Sequence, residues 1–173
     1  MHPFVVTVLV SLAIVALSVF LMRKGWHGRK ERQHHVGVLA EVPQNYDDRQ
    51  VMDVVEGTYV CTTVSGDWLD RIAVHTLGVK SQARMLFYDD ALILERTGAR
   101  DIWIPAHLLK EARLGAGMNG KFVEKEGLLI ITWELNHRRV DTGLRTQYSE
   151  DVEEALNRLN QLIENNSSSR VEA

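Results

Sequence analysis

Twenty consecutive positions near the N-terminus, residues 3 to 22, carry no charge, and only Thr7, Ser11 and Ser18 among them bear hydroxyls. At a helical rise of about 1.5 Å per residue the run reaches about 30 Å, the thickness of a bilayer's hydrocarbon core. A backbone in lipid must satisfy its own hydrogen bonds, so the pattern predicts a transmembrane helix over residues 1–22. The three hydroxyls can bond back to carbonyls one turn earlier, which makes them inexpensive there. A cleaved secretory signal is the rival reading. It needs a basic leading region, a shorter apolar core and a small-x-small cleavage site, whereas only Met1 and His2 precede this run and bulky basic residues follow it. A buried helix of a soluble chain is a third reading.

Behind the run the pattern turns polar and aperiodic. Arg23, Lys24, Arg29, Lys30 and Arg32 stand against one acid, Glu31, with Trp26 among them. Positive residues stay on the cytoplasmic side, which places the N-terminus outside and the rest of the chain inside as a single-pass cell-membrane protein. Residues 23–54 read as a basic juxtamembrane linker. Arg23, Lys24, Trp26, Arg29, Lys30 and Arg32 are the expected membrane-surface contacts, each basic group contributing about 1 kcal/mol toward anionic lipid headgroups. Fixing topology alone is the plainer role for the same residues. His34 and His35 are adjacent and lack a third ligand at metal spacing, so no metal site is expected.

From residue 55 the periods become regular. Residues 58–64 are β-branched and aromatic, a first strand. Leu69, Ile72, Ala73 and Leu77 recur at helical spacing behind Asp67 and ahead of Gly78, which predicts a short helix, with a strand over 71–77 as the competing reading. Residues 81–88 and 91–97 flank Asp89-Asp90 and predict a hairpin. Paired carboxylates can share a proton in catalysis, but at a hairpin tip they face water and read as a turn. Strands over 100–104 and 110–114 follow, the former ended by Pro105 and the two separated by a helical turn at 106–109. A glycine-rich loop covers 115–120. Residues 128–135 are the strongest strand, and a turn carrying His137, Arg138 and Arg139 leads into 140–146. That basic tip is a solvated turn or, in a second reading, an anion or lipid contact. Val152, Ala155, Leu156, Leu159, Leu162 and Ile163 form one helical stripe behind the N-cap Ser149. Residues 165–173 have nothing to bury and read as a disordered tail. The sum is an α+β domain over 55–164: seven strands in a bent sheet or partial barrel, capped by a C-terminal amphipathic helix.

Composition changes this picture little. The chain of 173 residues is 45% hydrophobic and 25% charged, ordinary for one folded domain plus one span. A net charge of −3 argues against a nucleic-acid partner, which needs a basic face. Cys61 is the single cysteine, so no internal disulfide can form, in keeping with a reducing compartment.

Gly57-Thr58-Tyr59-Val60-Cys61-Thr62-Thr63, Gly66-Asp67-Trp68-Leu69-Asp70-Arg71, Ile104-Pro105, Trp133 and Asp141-Thr142-Gly143-Leu144-Arg145 stand in an order that resembles the pleckstrin-homology-like (PH-like) fold over residues 55–164. More narrowly, behind an apolar N-terminal run, the set is similar to a family of small actinobacterial proteins with one span and a PH-like domain. Members of that family are labelled putative transporter, export or membrane proteins. Eukaryotic lipid-binding relatives of the fold carry Lys and Arg in the loop after the first strand. Here that loop holds Asp67 and Asp70, whose charge would repel inositol phosphates.

The resemblance implies a non-enzymatic interaction and scaffolding module on the cytoplasmic face, with an unknown protein partner. The expected partner-binding patch is Trp68, Asp70 and Arg71 with Asp141 and Arg145. The same residues have a structural reading, Trp68 capping the core and the charges pairing with strand residues. The alternative function is an accessory subunit of a membrane transport or export complex, since one helix forms no pathway alone. No catalytic residue, cofactor-binding residue or metal ligand is expected: the chain lacks a nucleophile elbow, a phosphate-cradling glycine loop and a metal-ligand cluster.

Overall fold

The computed structural model describes residues 3–32, 39–46, 48–49, 51–118, 121–122 and 127–171. It divides into two compact units, residues 1–35 and 36–173.

The first unit holds helix α1, Pro3–Arg32. Every side chain described on it, from Thr7 to Arg23, is exposed. Ser11 Oγ donates to Thr7 O at 3.0 Å and Ser18 Oγ to Ile14 O at 2.8 Å, the back-bonding that keeps hydroxyls inexpensive on an apolar helix. The basic stretch expected as linker continues the helix to Arg32. Among the described residues, no helix is long and apolar enough to cross a membrane. The expected span is therefore not recovered among them.

The second unit is built on strand β1, Asp53–Val64. Its first half pairs antiparallel with β3 (Ser81–Phe87), and its second half with β10 (Arg138–Thr146). Gly57 lies where the three meet, opposite both Ala83 and Thr146, and a Cβ there would come 2.3 Å from the Arg145 carbonyl oxygen. A bulge between Tyr59 and Cys61 bends β1 just beyond. The short β2 (Asp67–Arg71) folds back on the end of β1 through Gly66, whose φ of +86° suits glycine. β4 (Ala91–Arg96) and β5 (Ile102–Pro105) extend the β3 side, and β9 (Leu128–Leu135) and β6 (Leu109–Gly115) the β10 side. The sheet order is β5-β4-β3-β1-β10-β9-β6, with β2 on β1. β7 (Gly117–Met118), inside the stretch 115–120 expected as a loop, and β8 (Lys121–Phe122), just past it, form a separate ribbon. Among the described residues ten strands thus replace the expected seven, because pairing partners supplied by the fold admit segments too short to show a period.

Helix α2, Asp151–Val171, packs on β6, β10 and the 3-10 turn at Ala106–Leu108. Its expected stripe is the buried face: Val152, Ala155, Leu159 and Leu162 join a core of Tyr59, Met85, Leu94, Ile104, Ile131, Trp133 and Leu144. The tail expected to be disordered stays helical to Val171. Ser167 and Ser168 there return their hydroxyls to the carbonyls of Ile163 and Glu164, at 2.9 and 3.1 Å.

A buried chain of hydroxyls threads this core. Trp133 Nε1 donates to Thr142 Oγ1 at 2.8 Å, which lies 2.8 Å from Thr62 Oγ1. Thr62 Oγ1 lies 2.7 Å from the Tyr59 hydroxyl, which donates to the Leu77 carbonyl at 2.7 Å. Each hydroxyl has a single proton, so the last donation sets the direction of the rest: Thr62 donates to Tyr59, and Thr142 to Thr62. Burial pushes the Tyr59 phenol pKa up, which keeps the proton this chain needs.

The chain explains why no helix forms over 66–78. Asp67 Oδ1 does accept the N–H groups of Leu69 and Asp70, at 3.0 and 3.2 Å, as a helix cap would. The backbone nonetheless runs extended through Arg71, since Thr62 O takes the Ile72 N–H at 2.9 Å and Leu77 O must reach Tyr59. Only a 3-10 turn at Val74–Thr76 remains, with His75 and Thr76 at φ of 55° and 59°. A left-handed β-branched residue is strained, and Arg96 holds it by donating to Thr76 O at 3.1 Å and Thr76 Oγ1 at 3.0 Å.

Replacing Tyr59 by Phe leaves the Thr62 hydroxyl proton without its acceptor and should lower unfolding free energy by about 1–3 kcal/mol in denaturant titration. Gly57→Ala drives a methyl into the Arg145 carbonyl and should lower it by about 1–3 kcal/mol or more. Parent-like stability in either variant would contradict the corresponding contact.

Candidate functional site

Within the stretch expected as a linker, Leu39, Val42, Tyr46 and Val51 pack on the sheet instead, where apolar surface is available for them. Leu39 is buried in the main core. A 3-10 turn at Gln44–Tyr46, closed by Tyr46 N–H to Pro43 O at 3.0 Å, drives the Tyr46 ring into a second cluster with Leu86, Tyr88, Ala91 and Ile93. The ring meets Tyr88 and Trp103 edge-on, with centroids 5.3 and 5.9 Å away. One turn further, Arg49 N–H bonds Tyr46 O at 3.1 Å, which brings the guanidinium over the Tyr46 ring at 4.5 Å.

That guanidinium reaches the β3–β4 turn. It pairs with Asp89 and, at 3.1 Å, with Asp90, whose carboxylate also accepts the Tyr46 hydroxyl at 3.0 Å. Burial alone would push the Asp90 pKa up, but hydrogen bonds from Arg49 and Tyr46 outweigh it and hold the carboxyl below its ordinary value. Burial, reinforced by Asp90, raises the Tyr46 phenol. The acidic pair is the turn expected from sequence, yet it is also the anchor for Arg49. Beside it opens a cleft of about 360 Å³ lined by Tyr46, Asp90, Trp103, His107, Asn165 and Asn166, among others. Sequence reasoning passed over Tyr46 and Arg49; the available signal was a large aromatic in a stretch otherwise read as linker.

The expected partner patch is partly assembled. Trp68 on β2 is 46% exposed beside the exposed Leu69, and Asp70 and Arg71 are half-buried. Arg71 lies along Gly78 and stands opposite Thr63, whose other neighbour in the sheet is Asp141. Asp141 is only 5% exposed, and its carboxylate takes Arg113 Nη2 at 2.9 Å and Thr132 Oγ1 at 2.7 Å. Arg145 is exposed opposite Thr58, four residues beyond Asp141 and about 13 Å along the strand. The end of β1 therefore gathers Arg71 and Asp141 and leaves Arg145 apart.

Of the expected membrane-surface residues, Arg23 is exposed; the side chains of Lys24, Trp26, Arg29, Lys30 and Arg32 lie outside the described residues. So do His34 and His35. Among the described residues no group of three or more His, Cys, Asp or Glu side chains could hold a metal ion. At the basic tip, Asn136 and His137 form a two-residue hairpin turn with φ of 48° and 65°, and Arg138 and Arg139 are exposed. A larger cleft, about 540 Å³, lies over β1, β3 and β4, where Glu56, Arg84 and Glu95 stand in one cross-strand row and Arg84 Nε donates to Glu95 at 2.9 Å.

Comparison with the curated proteins finds no match. Among solved structures, the chain is similar to the C-terminal domain of an unknown protein from Leishmania infantum, with 12% identity and a TM-score of 0.45 over 69% of this chain and 89% of that one. It is also similar to Vav1 inhibited by an allosteric inhibitor, with 12% identity and a TM-score of 0.41 over 79% of this chain and 33% of that one. At such scores neither likeness bears on function. The family model described as bacterial PH domain-like matches residues 36–160, and its start at 36 takes in the segment that Leu39 and Tyr46 secure to the sheet. The chain belongs to the bacterial PH domain-like family.

Proposed function

We propose that the protein is a membrane-anchored, non-enzymatic interaction module whose PH-like domain works at the cytoplasmic face. The observation that carries this reading is the N-terminal apolar run. Residues 3–22 hold no charge, and Leu12, Phe20 and Met22 are among a continuous set of exposed apolar side chains on α1. A helix that is apolar all round must be covered by lipid or protein. The basic residues from Arg23 to Arg32 favour lipid, with the anionic cytoplasmic leaflet on their side. The narrower likeness to single-span actinobacterial proteins with a PH-like domain belongs with this proposal.

Within the domain, the patch proposed for a protein partner is centred on Trp68, with Asp70 and Arg71 beside it on a short edge strand. Arg145 is exposed further along β10, and the buried Asp141 would act by positioning Arg113 rather than by touching the partner.

The full chain should sediment with membranes and resist alkaline carbonate extraction, and deletion of residues 1–22 should release it to the soluble fraction. Recovery of the full chain in the carbonate supernatant would overturn the anchor. Within the patch, Trp68→Ala should change unfolding free energy by less than about 0.5 kcal/mol, as expected for an exposed side chain. Asp141→Ala should lower it by about 1–3 kcal/mol, because the Thr132 hydroxyl loses a buried acceptor. A large loss of stability at Trp68 would make that residue structural and remove it from the patch.

A further inference from the structure

The sheet face under Tyr46 and Arg49 carries the marks of a docking surface occupied by the chain itself. Leu86, Tyr88, Ala91, Ile93 and Trp103 provide an apolar floor, and Asp89 and Asp90 an acidic rim. The covering segment sets two side chains three residues apart on that surface, the Tyr46 ring on the floor and the Arg49 guanidinium on the rim, with Val42 and Val51 packed against the same cluster and Leu39 buried in the main core. Its backbone is bonded at two described points, Tyr46 O accepting the Tyr88 hydroxyl at 3.5 Å and Met52 N–H donating to Phe87 O at 2.8 Å.

The latch is accessible from solvent. The side chains of Arg49, Asp89 and Asp90 are 30%, 71% and 55% exposed. Ion pairs of that kind hold weakly and exchange partners readily. The surface also continues past the segment, since the cleft of about 360 Å³ shares Tyr46, Asp89, Asp90 and Trp103 and extends to His107 and Asn165. An incoming chain has somewhere to bind before the resident segment leaves.

We infer that this face of β3, β4 and β5 is a binding site for an extended segment of a partner protein that presents an aromatic residue three positions ahead of an arginine or lysine. Tyr46 and Arg49 fill it in the resting state. The partner's aromatic ring takes the place of the Tyr46 ring against Tyr88 and Trp103, and its cation that of Arg49 between the two aspartates. Two carboxylates facing one guanidinium supply the charge complementarity. The inference goes beyond the proposed function and does not depend on the anchor.

The test is competition in trans, with full-length chain in detergent micelles and a fluorescent synthetic peptide of residues 39–52 read by anisotropy. A resident segment competes at an effective concentration in the millimolar range, so the parent chain should bind the peptide weakly. The double variant Tyr46→Ala/Arg49→Gln vacates the site and should bind the parent peptide at least about tenfold more tightly than the parent chain does. A peptide carrying the same two substitutions should not bind it. Adding Asp89→Asn and Asp90→Asn to the variant chain should weaken the parent peptide several-fold. Absence of peptide binding by the folded double variant, equal binding of both peptides, or equal binding by parent and variant chains would overturn the inference. Should the double variant fail to fold, Arg49→Gln alone decides. It should raise peptide affinity and speed hydrogen exchange at the Met52 amide, with β9 unchanged, and no change in either would overturn the inference. A parent dimer that Arg49→Gln dissociates would instead identify the occupant as a second copy exchanging residues 39–52, and would overturn the assignment to a different partner.

Discussion

One line of hydrogen bonds, from the Trp133 indole through Thr142, Thr62 and Tyr59 to the Leu77 carbonyl, crosses the centre of the domain. It connects β9, β10 and β1 and ends on the loop after β2. Its members are aligned donor to acceptor, so each bond polarises the next, and the low dielectric around them strengthens all of them. The same surroundings make any interruption costly, because a hydroxyl deprived of its partner there has no water to turn to. Thr62 and Thr142 are fully buried. Their presence in an apolar core makes sense only as members of this chain.

The loop at its end illustrates the consequence. His75 and Thr76 adopt left-handed backbone angles, which a threonine resists. The strain persists because the Leu77 carbonyl is held by Tyr59 and by Thr62 N–H, while Arg96 grips Thr76 from the other side. Arg96 lies over the Tyr59 ring at 4.6 Å, and burial lowers its pKa. Carbonyl oxygens and an aromatic face supply the guanidinium's contacts, and the half-exposed Asp101 carboxylate, which accepts the Arg96 N–H at 2.8 Å, favours its charge. The arginine thereby joins loop and core without requiring a second buried charge.

Away from this centre, the candidate sites lie where the sheet runs out of partners. β2 is a short strand paired with β1, and it carries Trp68 and Leu69 outward. The β3–β4 turn carries Asp89 and Asp90, and Tyr46 and Arg49 close over it. Rigid strands thus present short exposed segments, the usual division of labour between scaffold and binding surface. The two places differ in chemistry: one is an aromatic beside mixed charges, the other an acidic rim over an apolar floor.

Much of the domain was legible from residues 81 onward, because strong local periods coincide there with the final pairings. The β3–β4 and β9–β10 hairpins, Pro105 at the end of β5 and the buried stripe of α2 all follow from alternation, turn chemistry or helical spacing. The patch residues could be named, but not their depth: nothing local distinguishes the exposed Trp68 from the buried Asp141, whose partners Arg113 and Thr132 come from other strands. Residues 67–77 show helical spacing and even a capping aspartate, yet long-range bonds to Thr62 and Tyr59 impose an extended course. The apolar positions of residues 39–52 are broken by Pro43 and show only a weak period, and only the assembled face of β3, β4 and β5 gives Tyr46 a place to bury. By itself the sequence determined what each segment could do with its nearest neighbours. Tertiary structure decided the segments whose hydrogen bonds and apolar contacts are supplied by residues far away along the chain.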